Sequence, residues 1–135
     1  MAKFPEPEWL QALMDKLNRD EQYARVARNW EGDFYFVIEP DDALPEQVIF
    51  YFDLWHGKCN DGFVVDDLGV KDPAFVLNAP YKNYKLVLQG ELHPMQALMT
   101  RRLRVKGNMA VLVRNVPTVL DFVRCAREVT DSFAA

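Results

Sequence analysis

Apolar residues recur along this chain with two different periods, and the points where the period changes divide it into elements. After Pro5 and Pro7, residues Trp9, Leu10, Leu13, Met14 and Leu17 return at helical spacing, which predicts a first amphipathic helix. Asp20 suits the N-cap of a second, with Tyr23, Val26, Ala27 and Trp30 on one stripe, arginines opposite and Gly32 as its end. Over residues 33–39 the period drops to two, and Phe34, Phe36 and Ile38 alternate with Tyr35 and Val37. After the turn-rich PDDALPE, residues 48–55 place Val48, Phe50, Phe52 and Leu54 on one side and Ile49, Tyr51, Asp53 and Trp55 on the other. Aromatic and β-branched content makes both segments strands. HGK and NDG are turn signals that set a third strand within residues 58–65.

The second half changes period again. A fourth strand over residues 74–78 ends at Ala79-Pro80, and Pro80 suits the first position of a helix carrying Tyr81, Tyr84 and Leu88 up to Gly90. His93-Pro94 repeats the device and opens a helix through Met99. Leu103 and Val105 alternate with Arg102, Arg104 and Lys106, which predicts a fifth strand. Gly107 turns the chain, Asn108 can cap a short helix over residues 109–113, and Pro117 starts a last one. Val119, Leu120, Phe122, Val123, Ala126 and Val129 are expected on that helix's buried side. The order α-α-β-β-β-β-α-α-β-α-α is that of an α+β domain, with helices gathered over one face of a five-stranded, largely antiparallel sheet. Strand parity puts Phe34, Phe36, Ile38, Phe50, Phe52, Leu54, Phe75, Leu77, Leu103 and Val105 on the covered face.

Composition narrows the function. The 135 residues suit a single domain, 1–135, and half are apolar. A net charge of −4 and an isoelectric point near 5.1 disfavour nucleic acid as a partner, since that ligand calls for a basic footprint. No apolar run approaches the roughly 20 residues that span a bilayer, and MAKFPEPEW lacks the core of a signal peptide. Cys59 and Cys125 form no CxxC pair, which leads to the expectation of a reduced, cytoplasmic compartment.

Candidate chemistry is sparse. His56 and Cys59 have a spacing that could chelate a metal, but no second ligand pair completes a structural site. His93, immediately before Pro94, reads as a helix-start residue. Asp41-Asp42 and Asp66-Asp67 sit among turn residues. Asp53 interrupts an aromatic strand and could serve as a proton-abstracting base if it faced a pocket, yet parity places it opposite Phe50 and Phe52. There is no Ser–His pair and no paired carboxylates in HPMQALMTRRLRVKGNMAVLV. The expectation is a protein that is not an enzyme and takes neither metal nor cofactor.

That same stretch, with Pro94 to Thr100 forming a small helix, Leu103 to Lys106 a basic alternating strand and Gly107-Asn108-Met109 the turn after it, resembles the sterol carrier protein type 2 domain, a lipid-binding family. Upstream, FVLNAPY at 75–81 and GDFYF at 32–36 fit the same order, and the resemblance spans roughly residues 9–129. Departures are Arg101-Arg102, where relatives often carry Gly-Lys, and an ending that is not a Ser-Lys-Leu-type tail.

The resemblance implies an apolar tunnel between sheet and helices. It would hold a fatty acid, acyl-CoA, phospholipid or sterol-like or isoprenoid lipid, bound and carried without catalysis. Phe36, Phe50, Phe52, Leu98, Met99, Met109, Leu112 and Leu120 are the residues nominated to line it. Arg101 and Arg102, with Arg104 and Lys106, have two readings: contact with an anionic headgroup or, transiently, a membrane, or simply a charged edge strand protected against aggregation. The second is the simpler. A closed core would instead suit an interaction module or accessory subunit of an enzyme acting on hydrophobic substrates.

Overall fold

A computed structural model describes residues 2–134. In chain order the elements are β1 (Lys3–Phe4), α1 (Pro7–Arg19), α2 (Glu21–Val26), β2 (Glu31–Glu39), β3 (Val48–Trp55) and β4 (Lys58–Val65). A 3-10 turn at Leu68–Val70 precedes β5 (Phe75–Pro80), α3 (Tyr81–Leu88), α4 (Pro94–Met99), β6 (Arg104–Lys106), α5 (Met109–Arg114), α6 (Val116–Val129) and β7 (Ser132–Phe133). The α+β class and the five-stranded sheet are as the periodicity predicts. The sheet runs β4-β3-β2-β5-β6; β2 and β5 pair in parallel and the other neighbours antiparallel.

Local signals explain most boundaries. Asp20 accepts the Tyr23 N–H at 2.8 Å and so caps α2. His93 Nδ1 accepts the Met95 N–H at 3.1 Å and opens α4, while Asn108 accepts the Ala110 N–H at 3.0 Å and opens α5. Some expected boundaries differ. The second helix ends at Val26, and Gly32 lies inside β2 rather than closing the helix. The intervening turn is drawn onto the sheet because Trp30 Nε1 donates to Gly32 O and the Trp30 carbonyl accepts from His56 N–H at 2.7 Å. Pro80 is the N-cap of α3, not its first helical residue.

The second sheet, β1 beside β7, was not predicted. It brings the two ends of the chain together, with Ala2 N donating to Asp131 Oδ2 at 3.0 Å and Trp9 Nε1 to Thr130 Oγ1 at 2.8 Å. Helices cover one face of the large sheet, and there the main core lies. The other face is not bare. Tyr35, Val37, Ile49, Tyr51 and Val65 form a smaller buried cluster on it. The Tyr35 hydroxyl straps the 66–72 segment across them, meeting Leu68 O and Lys71 O and accepting the Lys71 N–H at 2.7 Å. Asp53 is half-buried on this second face, in register with Asp33 on β2 and Asp61 on β4.

Candidate functional site

Between sheet and helices the main core leaves an apolar cavity of about 100 Å³. Its floor is the strand parity made physical: Phe34, Phe36 and Ile38 of β2, Phe50, Phe52 and Leu54 of β3, and Leu77 of β5. The roof comes from Trp9 of α1, Tyr23 of α2, Tyr84 and Val87 of α3, Leu98 of α4, Leu112 of α5, and Val119, Phe122, Val123 and Ala126 of α6. Aromatic rings hold floor and roof at a set spacing. Phe122 stacks on Phe36, with centroids 5.6 Å apart and 7° between planes, and meets Phe52 edge-on at 6.0 Å. Trp9 stacks on Phe50 at 5.7 Å. Rigid rings braced in this way leave space that flexible aliphatic side chains would fill.

Several polar side chains around the cavity already have partners. Tyr84 donates its hydroxyl to Leu77 O at 3.0 Å, Trp30 Nε1 to Gly32 O at 3.0 Å, and Thr118 Oγ1 to Val26 O at 3.3 Å. Burial pushes the Tyr23 and Tyr84 phenols up from their ordinary range, so both stay protonated. A site of this chemistry excludes water and favours hydrocarbon.

Five nominated residues line the cavity: Phe36, Phe50, Phe52, Leu98 and Leu112. Met99, Met109 and Leu120 do not. Met99 is the last residue of α4 and 73% exposed, because Ala97 and Leu98 take that short helix's inner positions. Met109, at the first turn of α5, packs half-buried against the edge of the core. Leu120 is 37% exposed: at ~100° per residue it lies ~160° around α6 from Phe122, on the outer face. Trp9, Tyr23, Trp30 and Phe122 were not nominated although they line the cavity. Phe122 was recoverable from its stripe with Val119, Val123 and Ala126. The two tryptophans and Tyr23 read as ordinary helix core because nothing local shows which core residues border a void.

Other candidate chemistry is dispersed. His56 pairs with Glu31, Nε2 to Oε2 at 2.6 Å, while the buried Cys59 thiol meets Asp61 O at 3.2 Å, so the two do not converge on a metal. Asp53 is not among the cavity-lining residues. Asp20, Asp121 and Cys125 come together as possible ligands, but the Arg124 guanidinium already stands among them, bonding Asp20 at 2.6 Å and Asp121 at 2.8 Å. That positive charge opposes a cation in the same place. Arg101, Arg102 and Arg104 line a second, polar cleft outside the cavity wall. No helix among the described residues is long and apolar enough to cross a membrane.

The fold has close counterparts. A crystal structure of sterol carrier protein 2 superposes with a TM-score of 0.85 at 34% identity, covering 95% of this chain and 100% of that one. The solution structure of a conserved hypothetical protein from Thermus thermophilus, possibly a sterol carrier protein, gives 0.84 at 33% identity, over 96% and 92%. A ubiquinone synthesis protein, UbiJ-SCP2, shares the fold alone, with a TM-score of 0.53 at 12% identity over 88% and 85%. No curated protein matches the chain. The model of the SCP-2 sterol transfer family matches residues 10–119. With that match, and a third of residues identical to a sterol carrier protein along almost the whole chain, this protein belongs to the SCP-2 sterol transfer family.

Proposed function

We propose that this chain, acting as a single domain, binds a hydrophobic ligand between sheet and helices and carries it without chemical change. The observation that carries the reading is the cavity itself, walled almost entirely by aromatic and aliphatic side chains, with Tyr84, Trp30 and Thr118 bonded to backbone carbonyls. Family membership supports a lipid as the occupant. Each methylene moved from water into such a wall gains ~0.8 kcal/mol, so about ten give ~8 kcal/mol before ordering costs. Fatty acyl, sterol-like and isoprenoid chains all meet that requirement.

At about 100 Å³ the cavity is smaller than the ~300–1,000 Å³ of typical ligand pockets, so a long chain must widen it. The roof over α4 and α5 is the part suited to move. Each has six residues, too few to be stable apart from its packing, and Leu98 and Leu112 reach the cavity from them. The test is a titration of the delipidated protein with a fluorescent fatty acid. Saturable binding at one site is expected, and no binding across fatty acids, sterols and isoprenoids would reject the reading.

A second reading, an accessory subunit, draws on the same small cavity and on exposed apolar side chains. Trp55 on β3, Val64 on β4, and Leu68 and Val70 in the 3-10 turn are exposed. UbiJ-SCP2, with the same fold, is a ubiquinone synthesis protein. This reading predicts no lipid uptake and co-purification with an enzyme of hydrophobic substrates.

A further inference from the structure

A cleft of about 370 Å³ lies back to back with the apolar cavity. The two share one wall, built from β5, α3 and the connection from α4 to β6. Neighbouring residues divide between its sides: Leu77, Tyr84 and Leu103 face the cavity, while Asn78, Asn83, Arg102 and Arg104 line the cleft together with Arg101 and Glu39. Asn83 Nδ2 donates to the Arg102 carbonyl at 2.9 Å and ties α3 to the arginine segment.

Three features set this cleft apart from an ordinary charged edge. First, no ion pair found among the described residues involves Arg101, Arg102 or Arg104, in a chain whose net charge is −4. Second, Arg101 holds φ +61°, the left-handed position that closes α4. Arg102 N–H returns to Ala97 O at 2.8 Å and Arg101 N–H to Leu98 O at 3.3 Å, the Schellman pattern in which glycine is least strained. An arginine here carries a backbone cost that glycine would not. Third, Arg101 and Arg102 precede the strand, so protection of the β6 edge accounts only for Arg104 and Lys106. The first turn of α3 contributes little to the cleft's charge, because Asp41 already accepts the Lys82 N–H at 2.8 Å.

We propose that this cleft is an anion site, in which Arg101, Arg102 and Arg104 bind a phosphate or carboxylate group. Guanidinium forks suit both groups, and the Asn83 amide fixes the backbone that carries them. Among the described residues Glu39 is the one carboxylate lining the cleft; Gln47 Nε2 bonds it, and it opposes the anion. The anion is either the head of the carried lipid or a free phosphate. The site itself stands apart from the lipid-carrier reading; only assignment of the anion to a lipid head rests on it.

The experiment has two arms on the full chain. Inorganic phosphate is titrated into the labelled protein and followed by NMR. A long-chain fatty acid and the fatty alcohol of equal length are titrated in parallel. Phosphate is expected to shift Arg101, Arg102, Arg104 and Asn83 selectively, with affinity falling roughly tenfold in Arg102→Gln/Arg104→Gln and rising in Glu39→Gln. A preference for the acid over the alcohol that vanishes in the double variant assigns the anion to a lipid head. Equal binding of acid and alcohol alongside the phosphate shifts assigns it to a free phosphate. Binding of neither lipid, with the phosphate shifts intact, leaves the anion site standing, assigns it to a free phosphate and removes the simple fatty chain from the carrier reading. Phosphate shifts scattered over all basic residues, or unchanged in the double variant, overturn the proposal.

Discussion

Arg124 shows how much one side chain can organise. It bonds Asp20, Asp121 and Glu128 at 2.6, 2.8 and 2.9 Å, and Lys16 completes the group from α1. The Asp20 side chain is only 10% exposed. Arg124 first, then the Tyr23 N–H, hold its carboxyl well below the usual carboxylate range. A depressed folded value means the stabilisation is complete above the ordinary carboxylate pKa, about 4, and is lost as pH falls through the lower one. Asp20→Asn, which keeps a capping oxygen, should therefore cost about 2 kcal/mol at neutral pH and progressively less as pH falls below about 4, read from urea midpoints. The cysteines make a second residue-scale prediction. Burial pushes Cys59 up to about 12 and Cys125 up to about 11. Neither thiol should react with an aromatic disulfide reagent at about pH 8 until the protein unfolds, and rapid reaction in the native state would contradict their placement. At this scale capping is legible in sequence, because Asp20, His93 and Asn108 act on backbone groups two or three residues away. Arg124's role is not legible, since its partner Asp20 lies more than 100 residues upstream.

Elements depend on a few positions that tolerate no side chain. Gly107 turns the chain after β6 with φ +138°, and a Cβ there would lie 2.6 Å from Ala74 O and 2.7 Å from Phe75. Gly107→Ala should cost about 2 kcal/mol or more in thermal or denaturant unfolding, through strain and the displaced edge strand. Asn18 joins two elements differently: its amide donates to Cys59 O at 2.9 Å and accepts Cys59 N–H at 2.8 Å, clamping α1 to β4. Asn18→Ala removes both bonds and should cost about 1 kcal/mol, read from denaturant unfolding. Periodicity reveals the long strands and helices because each shows several repeats. It is silent on β1 and β7, whose two residues show none, and whose pairing joins opposite ends of the chain. The outward turn of Leu120 is a similar case: a run of apolar residues over the last helix conceals which of them face the sheet.

At the scale of the whole molecule, the sheet and its helices form a frame whose interior is incompletely filled. The α+β architecture and the apolar face of the sheet are legible from parity alone. The void is not, because a cavity is a difference between the volume enclosed and the volume filled, and both depend on contacts between distant elements. Five of the nominated residues reach it and three do not, which separates bordering the void from merely being apolar in its neighbourhood. The measurement that bears most directly on the carrier reading is fluorescent fatty-acid binding to the delipidated protein, compared between Val123→Phe, whose added ring would occupy the cavity, and Met99→Ser, changed on an exposed side chain. The account predicts one saturable site, weakened roughly tenfold or more by Val123→Phe with the fold intact, and unchanged by Met99→Ser. Equal binding by all three proteins, or none by the wild type for fatty acids, sterols and isoprenoids alike, would contradict it.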